Sequence, residues 1–166
     1  ALGRAFFLDD INGARAMVRR GLLRSPMAQV PTALRPWNQL GQLAAVIADE
    51  QLARDALDGF EKDLPQLGLW NNDAERARMR GWLAIASQRH DDAVREFHEA
   101  ADGLTDFERR AVVGIAQSFD LAGKADSALT YYEKYLAMPD AFAAVDSYFR
   151  AGTYKRLGEL YESRGD

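Results

Sequence analysis

The chain has 166 residues, 48% of them hydrophobic and 28% charged, with a formal net charge of −4 and no cysteine. This balance fits a folded, water-exposed chain and excludes bulk disorder, disulfide staples and thiolate metal sites. It also argues against a nucleic-acid partner; no apolar run approaches the ~20 residues of a membrane-spanning helix, and no signal-peptide pattern opens the chain.

No run alternates apolar and polar residues in the strand manner, so every predicted element is a helix. Residues 1–8 read as the end of a helix, and helices follow near 10–24, 33–47, 49–62, 73–87, 90–103, 107–122, 125–137 and 141–164. The prolines are Pro26, Pro31, Pro36, Pro65 and Pro139. Proline has no N–H with which to continue a helix, so Pro26, Pro65 and Pro139 are expected to mark helix ends. Asp49, Asp91 and Asp126 stand where an acid favours the positive end of a helix, and Gly123 suits a helix stop.

Four windows along these helices are alike: INGARAMVRRGL, EQLARDALDGF, DDAVREFHEA and ADSALTYYEKY. Their alanines, Ala14, Ala53, Ala93 and Ala128, stand 39, 40 and 35 residues apart. Four residues after each comes Val18, Leu57, Phe97 or Tyr132, and three further on Gly21, Phe60, Ala100 or Tyr135. A period in this range implies stacked helical hairpins, with the small residues where helices approach closely. The helix before each window carries a second pattern: Trp37, Leu40, Gly41 and Ala44 precede Ala53 by the offsets at which Val112, Ile115, Ala116 and Phe119 precede Ala128. Tyr154, Leu157, Gly158 and Tyr161 repeat it near the C-terminus.

LGELYESRGD resembles the first-helix end and turn of a tetratricopeptide repeat, and LAGKADSALTYYEKYLAMP its turn and second helix. The resemblance covers nearly the whole chain. It implies an all-α fold, a right-handed superhelix of antiparallel helix pairs, forming one repeat domain over 1–166. That domain divides into a partial repeat at 1–27, repeats at about 34–66, 74–106 and 109–139, and a half repeat at 141–166. The third unit departs from the pattern. Ala77 stands where a large aromatic is expected and Arg80 where leucine is, leaving Met79 and Trp82 to take over the packing.

In this family the first helices line a concave groove that takes ligands. The resemblance places Arg35, Asn38, Gln39 and Gln42 there, then Glu75, Arg78, Met79 and Trp82, then Arg110, Val113 and Gln117, and finally Lys155, Arg156 and Glu159. Amides and arginine forks suit an acidic or polar peptide segment, and Trp82 would be its aromatic anchor. The competing reading makes Trp82 core and the others ordinary solvated residues. The function implied is a non-catalytic protein-interaction scaffold without cofactor or metal. The alternative is a regulatory or sensor segment of a larger bacterial signalling protein, such as a kinase or transcription regulator. Cut repeats at both ends, and a first residue that is not Met, motivate that alternative and an expectation of self-association through the ends. Only four of the 21 basic residues are lysines, which suggests a GC-rich bacterial genome, and a cytoplasmic setting is favoured. The set of groove residues that some members use for a chaperone's C-terminal carboxylate is not reproduced. His90 and His98 are the only histidines; His90 falls at a turn and His98 on a helix exterior, a poor metal pair. No nucleophile–base arrangement or phosphate-cradling loop stands out.

Overall fold

The computed structural model describes residues 1–8, 10–68, 72–101, 105–138 and 143–165, and among them every regular element is a helix. The order is α1 (Leu2–Leu8), α2 (Ile11–Arg24), two short 3-10 turns (Met27–Gln29 and Thr32–Leu34), α3 (Trp37–Val46), α4 (Glu50–Leu67), α5 (Asn72–Ala86), α6 (His90–Ala100), α7 (Thr105–Leu121), α8 (Ala125–Ala137) and α9 (Ala143–Arg164). The all-α class expected from the sequence is the one observed.

Three antiparallel hairpins, α3–α4, α5–α6 and α7–α8, form the middle of the chain, and each first helix also packs on the first helix of the next hairpin. The turns between partners share one geometry. Asp49 N–H donates to Ala44 O at 2.9 Å, Arg89 N–H to Ala84 O at 2.8 Å and Lys124 N–H to Phe119 O at 2.9 Å. In each turn the residue before that donor is left-handed: Ala48, Gln88 and Gly123, with φ of 49°, 59° and 71°. This is the glycine-favouring helix stop, yet only Gly123 supplies glycine. The Asp49 carboxylate accepts from Leu52 N–H at 3.1 Å, capping α4, while Asp91 and Asp126 sit in the first turns of α6 and α8.

The four window alanines are at most 1% exposed. The phase of the repeat is thus the phase of the core. Between the hairpins the core is built from close backbone approach. The Phe97 ring of α6 lies between Gly81 of α5 and Gly114 of α7, where an added Cβ would stand 2.8 and 2.6 Å from it. Trp82 meets the same ring edge-on at 4.6 Å between centroids, a favoured aromatic geometry.

Two expectations fail on proline. Pro65 does not end its helix: α4 runs on to Leu67 and stops at Gly68. Leu64 is 3% exposed and Leu67 packs in the same cluster, so burial of that last turn outweighs one missing hydrogen bond. Residues 33–36 are not the start of α3, because Arg35, preceding Pro36, is held extended and the helix begins at Trp37. The expected ends at Pro139, 102–103 and 141–142 fall outside the described residues. Arg15 of α2 closes the first hairpin turn from outside, donating to Ile47 O at 2.9 and 2.6 Å and to Ala48 O at 3.2 Å. A cation there suits the negative end of α3.

Candidate functional site

Residues of α3, α5 and α7 face α9 across a gap, and α1 packs on both α3 and α9, so the two ends of the described chain meet across this face. Two cavities result. The smaller, about 40 Å³, lies among Asn38, Gln42, Arg78, Arg110, Val113 and the Phe149 ring of α9. The larger, about 470 Å³, lies toward the hairpin turns, where the C-terminal ends of α3, α5 and α7 meet α9 and the start of α2. Phe149 lines both.

The candidate groove residues divide. Asn38, Gln42, Arg78, Trp82, Arg110 and Val113 gather around the smaller cavity, and Gln117, Lys155, Arg156 and Glu159 around the larger. Met79 and Arg35 line neither. Several of these are corrected as partner contacts. Met79 and Trp82 are 0% and 1% exposed, because the small Ala77 and outward Arg80 let them rotate into the core, and Val113 is 2% exposed. Trp82 is thus a core residue and not an exposed anchor. Arg80 pairs on the surface with Glu96 at 2.8 Å.

Arg35 is a structural latch. Its Nη1 donates to both Asp63 oxygens at 2.7 and 2.9 Å, its Nε donates to Val30 O at 2.9 Å, and Trp37 Nε1 donates to Asp63 Oδ2 at 2.7 Å. Burial pushes the Asp63 carboxyl up, but the bonds from Trp37 and Arg35 more than offset this and hold it below its ordinary value. Arg78 is likewise engaged. It pairs with Glu75 and donates to Asn38 Oδ1 at 3.2 Å, while Asn38 Nδ2 donates to Glu75 at 2.8 Å. Burial brings the Arg78 guanidinium down to about 10. Arg78 and Glu75 are 3% and 4% exposed, so they fix α5 to α3 and present no charge to a ligand. Apart from Asn38, which these bonds engage, the accessible polar groups of this face are Gln39, Gln42 and Arg110.

At the larger cavity the charges are paired with one another. Arg156 donates to both Asp120 oxygens at 2.8 Å and to Glu159 at 2.9 Å, and Tyr132 Oη donates to Asp120 at 3.1 Å. Hydrogen bonding to Asp120 raises the Arg156 guanidinium further, while burial, reinforced by the Asp120 charge, keeps the Tyr132 phenol protonated well above its ordinary value. Sequence reading missed Asp120, Tyr132, Gln88 and Phe149. Tyr132 was read only as core, and Phe149 belongs to no repeated position, so its place on this face had no local signal.

His90 lines the larger cavity, with its Nδ1 buried and lacking a hydrogen-bond partner. His98 meets Tyr131 edge-on at 6.1 Å. Among the described residues no three His, Cys, Asp or Glu side chains gather as metal ligands, and no helix is long and apolar enough to cross a membrane. Comparison with protein-family models, with curated proteins and with solved structures gave no match.

Proposed function

We propose that the chain is a tetratricopeptide-like α-solenoid, a right-handed superhelix of antiparallel helix pairs, acting as a non-catalytic protein-interaction module. Its partner segment would lie along the inner face of α3, α5 and α7. The observation that carries this reading is the arrangement of that face: three first helices side by side present Gln39, Gln42 and Arg110 around one aromatic ring, Phe149, supplied by α9. A ring from the chain's own last helix occupies the place of a ligand's anchor, and amides and a guanidinium surround it as an extended, acidic or polar segment requires. The buried carboxylates Asp63 and Glu75 and the half-buried Asp120 are each engaged by an arginine, which favours a structural role over proton transfer.

The test is partner capture on the immobilised chain, followed by affinity measurement with the captured partner. Gln39→Ala, Gln42→Ala and Arg110→Ala together should abolish binding without shifting the melting temperature. Equal affinity of the triple variant would remove this face as the binding surface.

A further inference from the structure

The larger cavity is walled by residues from both ends of the described chain. Ala5 and Ile11 close it from α1 and α2, Val46 and Ile85 from the ends of α3 and α5, and Phe149 with Thr153 from α9. Its volume, about 470 Å³, falls among small-molecule sites, which run from about 300 to about 1,000 Å³. One side is aliphatic and aromatic. The other offers the amides of Gln88 and Gln117, neither of which hydrogen-bonds another described residue.

The four charged groups in the wall cancel. Asp120 and Glu159 are both held by Arg156, and Lys155 Nζ lies 3.4 Å from Glu159. An ion entering the cavity would have to compete with these pairs while losing its own hydration, an unfavourable exchange. An uncharged molecule with an apolar body and one or two hydrogen-bonding groups meets no such cost. Its body would displace water from Ile11, Val46, Ile85 and Phe149, and its polar end would reach the two glutamines.

We propose that this cavity binds a small uncharged amphipathic molecule, and that the bound molecule clamps α1 to α9. The clamp follows from the wall: a ligand touching Ala5 and Phe149 bridges α1 and α9, which otherwise share few contacts, so its binding energy adds to their closure. This site shares Phe149 with the partner-binding face but none of Gln39, Gln42 and Arg110, so either reading can fail without the other.

The probe is N-phenylnaphthylamine, an uncharged amphipathic dye that brightens out of water, titrated onto the whole chain. Two variants fill the cavity from different helices, Val46→Trp on α3 and Gln117→Trp on α7, both at half-buried positions in its lining. One dye per chain should bind, and in whichever variants keep the wild-type helical signal its affinity should fall about tenfold or more. Amide exchange is the second readout. At a free dye concentration of about ten times Kd, exchange should slow about tenfold in α1 and α9, and not in the exposed 3-10 turns. Undiminished affinity in the folded variants overturns the proposal, as does saturable binding without protection of α1 and α9, or no binding at all. If both variants unfold, the exchange pattern of the unaltered chain decides.

Discussion

The α5–α6 hairpin and α9 follow the same repeat register, and their surroundings treat it differently. Ala77 of α5 and Tyr154 of α9 are equivalent in the repeat, as are Val112 of α7 and Trp37 of α3. Ala77 and Val112 are 2% and 1% exposed, whereas Tyr154 is 56% exposed. α5 has a complete hairpin on either side; α9 packs on the α7–α8 hairpin on one side and otherwise meets only α1. A repeat register therefore assigns a direction to each side chain, and only a neighbouring hairpin turns that direction into burial. The stability of the chain should be concentrated where neighbours are complete.

The largest effect expected from this contrast is at Trp82. Trp82→Ala should cost about 4 kcal/mol in urea unfolding, because the ring fills the centre of α5–α6 against Phe97. Phe149→Ala, at the edge, should cost about half as much. Equal losses would break the comparison. The next effect is at the Arg35–Asp63–Trp37 latch on the outer side of the first hairpin. Asp63→Asn should cost about 3 kcal/mol at neutral pH by breaking the ion pair between buried Asp63 and half-buried Arg35. Asp63 lies below its ordinary 3.8 in the folded chain, so its stabilisation is present above that value and lost as pH falls through the lower folded one. Unfolding curves at several pH values should therefore show the gap between wild type and variant closing below about pH 4. A gap constant to low pH would assign the loss to packing. The smallest effect is a gain. Gln88 holds a left-handed backbone in the middle of the chain, and Gln88→Gly should add about 1 kcal/mol. No gain would mean that the Gln88 side chain contributes enough there to offset its strain.

Much of the core was legible because it obeys local rules. Ala14, Ala53, Ala93 and Ala128 recur in phase, and Asp49 caps a helix by a bond three residues long. The substitution of Met79 and Trp82 for the usual packing residues was also legible, from Ala77 and Arg80. Assigning those two to the face as well conflicted with that packing role, since a side chain turned into the core cannot also meet a ligand. Less legible was whatever depends on how one hairpin is rotated on the next. Arg35 was read as a groove residue, but the extended backbone before Pro36 directs it to Asp63, 28 residues away. Pro65 was read as a stop because nothing local reveals that the following turn is buried. The meeting of α1 with α9 depends on small rotations summed over three hairpins, and no window of sequence contains that sum.

The Phe97 ring held between Gly81 and Gly114 has a consequence for how such a chain can change. Three positions on three helices are tied together as one unit. A single replacement of either glycine drives a methyl into the ring, and loss of the ring empties the space that the glycines leave for it. Tolerated paths must shrink Phe97 before enlarging a glycine, so the order of substitutions matters as much as their identity. Any double-mutant cycle across Phe97 and Gly114 should be strongly non-additive. The centre of the molecule is therefore its least evolvable part, and its ends, where side chains face fewer neighbours, are free to diversify.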